Sequence, residues 1–347
     1  MKKQTAVIII SLFLLVVAGF CTYLYYFYKG NSKTIEDAAI SFDAGNVDES
    51  IAALERRGNK TTDEQLLLAI SYAQKGTVDF DEEHNAAKAL DIVNKVIAED
   101  PNNAEAYRIK GYAYEIQKDY TLAVEAYDTS IKLDPSVALT FSSRGHAQDL
   151  RGDETAALTD YKSALDLEPS LDHANLNIAR VYFRNGNIDL ASDHLKRVVE
   201  ESSNNSFKAA AEQILGTIDL SKANNLGAKG HFNTALMYDD KLTAAYVGRG
   251  EATFALYFEE LKTKPELRAE PMYDAVFADI NNALGINKDQ VSALVLAYKL
   301  LTVSGDTAAA GQMLAMAEKA VPNDITLGQI EKQAFLNYIT SLKTVKN

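Results

Sequence analysis

The chain has 347 residues, 47% of them hydrophobic, which is enough for an elongated domain with a substantial core. Tyr is abundant, Trp is absent, and Gly and Pro are scarce, a composition that favours packed helices over a β-sandwich rich in turns. The formal charge is −13 and becomes about −16 beyond residue 30, because the first 30 residues carry three lysines and no acid. An acidic surface repels phosphate backbones, so we expect no nucleic acid among the partners.

The N-terminal part contains an uncharged, apolar run that we predict to be a transmembrane signal-anchor. We divide this part into a tail at 1–5, the anchor at 6–28 and a juxtamembrane linker at 29–33. With a rise of about 1.5 Å per residue, the run spans the ~30 Å hydrocarbon core of a bilayer. Four tyrosines crowd its far end, as in an interfacial aromatic belt: Tyr23, Tyr25, Tyr26 and Tyr28. We expect a single-pass membrane protein whose soluble domain lies on the extracytoplasmic side.

Two other interpretations of this segment stay open. A cleaved signal peptide would use Ala6–Val17 as its apolar region and would release a secreted or periplasmic protein. The apolar run continues past that region, which favours the anchor. Lipoprotein processing at Cys21 is disfavoured because Phe20, and not a small residue, precedes it. Cys21 is the only cysteine, so the rest of the chain cannot form a disulfide or a Cys-based zinc cluster.

A period of 34 residues runs through the chain in several independent columns. Prolines 101, 135 and 169 keep this spacing, and so do alanines 123, 157 and 191, glycines 111 and 145, and tyrosines 127 and 161. Self-similarity at a fixed period of this length is the mark of a repeat architecture. One period carries its pattern as Tyr107, Gly111, Tyr114, Ala123, Tyr127 and Pro135.

With this pattern the chain resembles the tetratricopeptide repeat family over most of residues 34–324. The resemblance implies an all-α fold, a right-handed α-solenoid of helix pairs, in which a small residue at the eighth place lets the paired helix approach closely. It departs from the family pattern at Lys110 and Arg144, where Leu is usual, and at Gln148, where Tyr is usual. We predict seven to eight units, at 34–60, 62–103, 104–137, 138–171, 172–208, 209–242, 243–290 and 291–324.

Three local features complete the predicted architecture. A capping box of Thr62 and Gln65 opens the second unit. Two units are lengthened, and we expect the extra residues, around 77–85 and 257–272, to form loops at one edge of the solenoid. Residues 325–347 are predicted to form a capping helix over the last unit, with one apolar stripe: Leu327, Ile330, Ala334 and Tyr338.

The resemblance also implies a concave groove lined by the first helix of each pair. The family places for groove residues correspond here to Arg108, Tyr112, His146, Leu150, His173, Arg180, Phe183 and Arg184. Basic and aromatic side chains in an otherwise acidic chain favour a protein or peptide ligand with some acidic character. The alternative is that these residues are only the solvated side of the helices.

Together these features predict a membrane-anchored scaffold that binds a protein or peptide partner in an envelope or secretion-associated complex. The alternative is a structural spacer or a self-association module that uses the edge insertions. We expect no enzyme activity, no cofactor and no metal, because no nucleophile elbow, phosphate loop or dinucleotide fingerprint is present and the five histidines lack ligand spacing.

Overall fold

The computed structural model describes residues 33–43, 46–76, 82–263, 271–324 and 329–344. Within these ranges the regular structure consists of 17 helices and no strand. The predicted anchor at 6–28 lies outside the described residues. Among the helices of the described ranges, none combines the length and apolar character needed to cross a membrane.

The chain divides into two compact units, of which the first ends at Pro169 and the second begins at Ser170. The first unit contains four helix pairs. Their bounds are α1 Lys33–Asp43, α2 Val47–Glu55, α3 Thr62–Gly76, α4 Glu82–Glu99, α5 Ala104–Ile116, α6 Tyr120–Leu133, α7 Ala138–Arg151 and α8 Glu154–Leu167.

The second unit contains four more pairs and a final helix. Their bounds are α9 Asp172–Arg184, α10 Ile188–Glu201, α11 Asn205–Ser221, α12 Asn225–Tyr238, α13 Thr243–Thr263, α14 Pro271–Ile286, α15 Val291–Ser304, α16 Thr307–Ala320 and α17 Gln329–Thr344. Helix α11 begins four residues before the predicted unit at 209–242, because the Asn204 side chain accepts a hydrogen bond from the Ser206 amide and caps it there.

Within each unit, every helix of a pair packs against its partner and against the helix that follows. The first helices of successive pairs also touch one another: α1 with α3, α3 with α5 and α5 with α7 in the first unit, and α9 with α11, α11 with α13 and α13 with α15 in the second. The first helices therefore form one row in each unit, and the second helices pack behind them.

A close contact that recurs inside the pairs joins a glycine of the first helix to an aromatic ring of the second. A Cβ atom added at Gly111 would lie 2.7 Å from Cε1 of Tyr127, a separation that real Cβ contacts do not reach. The Tyr127 ring is fully buried, and Ala123, one turn earlier, is fully buried beside it. The same contact recurs between Gly145 and Tyr161 and between Gly216 and Phe232. The 34-residue spacing of glycines and tyrosines is thus the spacing of one repeated packing contact.

The turn inside a pair explains a second column of the repeat. Gly152, Gly186 and Gly305 each follow a first helix with a positive φ of 93°, 74° and 88°. Glycine adopts this left-handed conformation without the steric cost that a Cβ adds. Lys118 and Ala223 adopt it at the equivalent turns, at φ of 62° and 56°.

The capping box that opens α3 lies one residue earlier than predicted. The Thr61 amide donates to Glu64 Oε2 at 2.8 Å, and the Glu64 amide donates to Thr61 Oγ1 at 3.3 Å. Thr62 and Gln65 are therefore wrong as the box residues. Glu64 is almost fully buried, and its carboxylate forms an ion pair with Arg57. The uncharged Gln65 side chain could not form such an ion pair.

The predicted loop at 257–272 is wrong over its first part. Helix α13 continues through this stretch to Thr263, because the Tyr257 side chain is buried against Val276 and Ile280 of α14. Pro271 occupies the first position of α14, where its missing N–H costs no helical hydrogen bond. Residues 264–270 lie outside the described ranges, and so do residues 77–81 of the other predicted insertion. The predicted loop is wrong at 82–85, because α4 begins at Glu82.

The final helix exposes two of the four residues of the predicted stripe, and Leu327 and the Ile330 side chain lie outside the described part of the chain. Ala334 and Tyr338 of the predicted stripe are exposed. The side chains that face the core of the last pair are Phe335, Leu336, Ile339 and Leu342. Both stripes have helical spacing, and the one with the larger apolar side chains is buried because it removes more apolar surface from water.

We expect Gly111→Ala to destabilise the protein although alanine is the better helix former. The helix gains about 0.5–1 kcal/mol from the replacement, but overpacking against the fixed Tyr127 ring costs about 1–3 kcal/mol. Gly311→Ala, on α16 with open space around the added Cβ, is the matched control and should stabilise. Urea denaturation of the two variants measures both changes, and an equal gain for both would contradict the contact.

Candidate functional site

In the first unit, α5 carries Arg108 and Tyr112, and α7 carries His146 and Leu150. Arg108 is only 8% exposed, and its guanidinium donates two hydrogen bonds to Glu105, at 2.7 and 2.5 Å. Arg108 is the fifth residue of its repeat unit, 104–137. The fifth residues of other units are buried as well, among them Ser142, Leu176, Val247 and Val295. The fifth place thus lies where neighbouring first helices meet, and it offers little surface to a ligand.

The ninth place is more open and carries Tyr112 and His146, both half-buried. His146 Nδ1 lies 2.7 Å from Glu115 Oε2, which links α7 to α5. The other oxygen of Glu115 accepts a 2.5 Å hydrogen bond from the buried Tyr127 hydroxyl. Burial and the Glu115 carboxylate together raise the pKa of Tyr127 well above its usual value. Tyr127, whose ring packs against Gly111, therefore positions His146 through Glu115. Leu150, one turn further along α7, is exposed.

In the second unit, α9 carries the other four predicted residues. Arg180 and Arg184 are exposed, and Arg180 donates to Asn177 Oδ1 at 3.0 Å. Phe183 is half-buried and packs against the core that α9 shares with α10 and α11. His173, at the start of the helix, is half-buried and lies 3.5 Å from the Asn177 amide nitrogen. Arg180, Phe183 and Arg184 follow helical spacing and share one face.

The lengthened helix α13 adds residues to this face that the sequence analysis missed. Glu251, Phe254, Phe258 and Lys262 recur every three or four residues and therefore form one stripe. The Phe254 and Phe258 rings stack at 6.2 Å, and Lys262 Nζ lies 4.9 Å from the Phe258 ring. Burial raises the pKa of Glu251, and the opposing influence comes from Lys299 of α15. Because α9, α11 and α13 pack in one row, the stripe lies in the same row as the predicted residues of α9. Phe258 and Lys262 were missed because residues from 257 onward were interpreted as a loop.

Arg144, which replaces the Leu of the family pattern, has a structural role. Its Nε and Nη2 each donate to an oxygen of Asp160 at 2.7 Å, and its Nη1 donates to Asp128 at 2.6 Å. Arg249 repeats the arrangement in the second unit with Asp279 and Asn233. In both cases a first helix is joined to the second helices before and after it. In the sequence, this role is indicated by an aspartate 16 residues before Arg144 and another 16 residues after it.

His231 and His194 are held on second helices rather than in a ligand cluster. His231 Nδ1 lies 2.6 Å from Glu212 Oε2, and this hydrogen-bonded carboxylate raises the pKa of His231. His194 Nδ1 lies 2.8 Å from Asn175 Oδ1, and burial lowers the pKa of His194. Over the described ranges, no group of three or more His, Cys, Asp or Glu side chains could hold a metal ion.

Two segments of the chain, residues 76–138 and residues 150–214, each match a family model of the tetratricopeptide repeat. The tetratricopeptide repeats that the 34-residue spacing predicts are therefore confirmed in these two segments. Proteins with tetratricopeptide repeats generally mediate protein–protein interactions. A comparison with curated proteins finds no match.

Solved structures agree on the fold. The APC/C hetero-tetramer Cut9–Hcn1 matches with a TM-score of 0.62 at 18% identity, over 84% of this chain and 52% of that chain, so this protein spans about half the length of that relative. PilF of Pseudomonas aeruginosa matches with a TM-score of 0.53 at 16% identity, over 68% of this chain and 97% of that chain. A tetratricopeptide repeat protein of Parabacteroides merdae matches with a TM-score of 0.53 at 14% identity, over 78% of this chain and 99% of that chain. Similarity at these identities defines an all-helical, tetratricopeptide-like solenoid fold and nothing more specific.

We expect the stabilising contribution of His231 to depend on pH. Its pKa is raised in the folded state, so the contribution is complete below the unfolded pKa of about 6.5 and is lost as the pH rises through the folded pKa. His231→Gln should therefore lower the free energy of unfolding more at about pH 5.5 than at about pH 8.5.

His194→Gln is the control, because a lowered pKa reverses the sign: the contribution of His194 is present above the unfolded pKa and is lost as the pH falls. Urea denaturation of both variants at the two pH values measures the trends. Parallel trends for the two variants would contradict the assigned hydrogen bonds.

Proposed function

We propose that this chain is a membrane-anchored scaffold that binds a protein partner through the row of first helices. The ligand is an extended or helical segment that combines acidic and apolar side chains, and the complex belongs to the cell envelope or to secretion machinery. The repeat supplies a binding surface, and the protein acts by holding partners together rather than by catalysis. Its soluble part lies on the extracytoplasmic side.

The observation that carries this proposal is the face of α9. Arg180 and Arg184 are exposed residues that lie three residues before and one residue after the half-buried Phe183 on one helix face. Arginine recognises carboxylates through paired, charge-assisted hydrogen bonds, and an aromatic ring beside it supplies apolar contact area. An acidic side chain next to an apolar one in the partner would satisfy both.

Helix α13 extends the apolar part of the same face. Its stacked Phe254 and Phe258 lie in a helix two turns longer than α15, which starts the next pair. Phe258 is one of the exposed large apolar residues, and Lys262 above its ring is paired with Glu259 at 2.6 Å. An aromatic surface of this kind favours an apolar side chain of the partner as the second anchor.

The sequence of residues 6–28 supports the membrane attachment. An uncharged segment of this length inserts favourably by several kcal/mol, at roughly −0.3 to −0.6 kcal/mol for each Val, Ile, Leu or Phe. A scaffold held in this way meets partners that are themselves in the membrane or close to it. We therefore expect the partner to belong to the cell envelope.

Capture of the full-length chain from membranes tests the binding face. Arg180→Glu with Arg184→Glu reverses two charges on α9 and should reduce the recovered partner at least tenfold, which corresponds to about 1.4 kcal/mol. Lys196→Glu with Arg197→Glu makes the same charge change on the exposed side of α10 and is the matched control. Partners are identified by mass spectrometry, and both variants are checked by thermal melting. Equal recovery with both variants would overturn the proposed face.

The same preparation tests the attachment. The anchor requires the chain to stay in the membrane pellet after alkaline carbonate washing and to keep residues 1–28 in its intact mass. A chain that begins after residue 18 or 19 and is found in the soluble fraction would establish the cleaved signal peptide in its place.

A further inference from the structure

Helix α12 presents an unusual outer surface in the second unit. Its residues Met237 and Leu226 are 85% and 73% exposed, the highest values among the large apolar side chains that the structure describes as exposed. They are 11 residues apart, which at 3.6 residues per turn places them on the same side of the helix, about 16 Å from each other. Two apolar side chains exposed to this degree on one helix face are apolar surface that a second molecule could cover.

The residues of this face between Leu226 and Met237 carry no charge of their own, and the charged neighbours are basic: Lys229 of α12 and Arg249 of α13. Gly230 lies one turn after Leu226, and an added Cβ there would meet nothing within 4 Å. Asn233, one turn before Met237, is exposed, and its side-chain oxygen accepts a 2.9 Å hydrogen bond from Arg249. We call Leu226, Gly230, Asn233 and Met237 the α12 stripe.

Charge separates α12 from the other second helices. Its sequence contains no Asp or Glu, whereas the second helix of every other described pair has at least one. The chain as a whole carries 48 acidic residues and a formal charge of −13. Two copies of the chain therefore repel each other over most of their surface, and α12 is a place where they can approach without facing carboxylates.

We propose that the α12 stripe is a self-association surface, on which α12 of one copy packs antiparallel against α12 of a second copy. The stripe is self-complementary under a twofold rotation. Leu226 precedes Gly230 by four residues and Met237 follows Asn233 by four, so reversal of the helix exchanges the two apolar ends. Leu226 of each copy then meets Met237 of the other, and Gly230 lets the two backbones approach at the centre.

The charges at the ends of α12 favour the antiparallel arrangement. Lys222 lies just before the helix, where the Asp219 carboxylate accepts a hydrogen bond from the side chain of Asn224. Asp239 and Asp240 lie just after the helix, and Lys241 follows them. Antiparallel packing brings the Lys222 end of one copy to the Asp240 end of the other, and the two helix dipoles then also oppose each other favourably. Parallel packing would place like charges together at both ends.

A lipid surface fits this stripe less well than a second copy. Peripheral binding to anionic lipids uses clusters of roughly four to eight basic residues, and α12 carries Lys229 as its only lysine and no arginine. The interface uses a second helix, so it is separate from the row of first helices and does not depend on the proposed partner-binding function.

The mass of the full-length chain tests this inference, measured by sedimentation in detergent with the detergent contribution subtracted. We expect a dimer for the natural sequence and a monomer, with half the protein mass, for Leu226→Glu with Met237→Glu. Leu190→Glu, on an exposed side chain of α10, should stay dimeric, and so should Arg180→Glu with Arg184→Glu. A monomeric natural sequence, or a dimer that survives the α12 substitutions, would overturn the proposal.

Disulfide trapping tests the orientation independently of stability. In a Cys21→Ser background, Leu226→Cys and Met237→Cys should cross-link to each other when the two variants are mixed and oxidised, and neither should cross-link to itself. A disulfide needs Cβ atoms about 3.5–4.5 Å apart, so the two arrangements give different products. Cross-linking of Leu226→Cys to itself would establish a parallel pair and refute the antiparallel one, and the absence of any cross-link would refute the interface.

Discussion

The fold depends on how closely the two helices of a pair can approach. A first helix that carries glycine or alanine at its eighth place accepts an aromatic or leucine side chain of its partner, as Gly111 accepts the buried Tyr127 ring. Because the ring fills the space that a Cβ would occupy, it fixes the separation of the helices within the pair. The neighbouring first helix then packs at a set distance, and Glu115 and His146 are positioned through the hydroxyl of that same ring.

The parts of the fold that follow from a repeated contact could be predicted from sequence. The 34-residue columns indicated the helix pairs, because each column corresponds to one backbone or packing requirement. Gly152 and Gly186, which are also 34 residues apart, lie in the turns inside the pairs. The predictions that were wrong concern places where two neighbouring sets of residues have similar local patterns, so that the sequence alone does not select between them. Glu64 replaced Gln65 in the capping box because its carboxylate is buried beside Arg57, and Ile339 replaced Tyr338 on the final helix because its stripe is more apolar.

The candidate site was predictable only in outline, for a related reason. Place numbers identify which helix carries a residue, but burial depends on the neighbours of that residue: Arg108 is enclosed between first helices, whereas Arg180 is exposed. The same limit applies to Arg144, whose partners Asp128 and Asp160 lie on two other helices. Phe258 was missed because the charged residues and prolines after it suggested a loop, although burial of Tyr257 extends the helix.

The two sides of a helix pair carry different surfaces in the second unit. The first helices present arginine and aromatic side chains, suited to a partner segment with acidic and apolar residues. The second helices present mostly charged, solvated faces, whereas α12 has no acidic residue and exposes Leu226 and Met237 more than any other described second helix exposes a large apolar side chain. A scaffold built in this way can bind a partner on one side and a second copy on the other, because the two surfaces share no residue.

Site-specific photo-cross-linking in native membranes tests the central claim most directly, because it captures whichever protein lies against the chosen side chain. A benzophenone amino acid replaces Phe183 on α9, Phe258 on α13 or Leu190 on α10 in the full-length chain. We expect a cross-linked product with a second protein species from positions 183 and 258, and none from 190. Products from position 190 alone, or from none of the three, would contradict binding by the first helices.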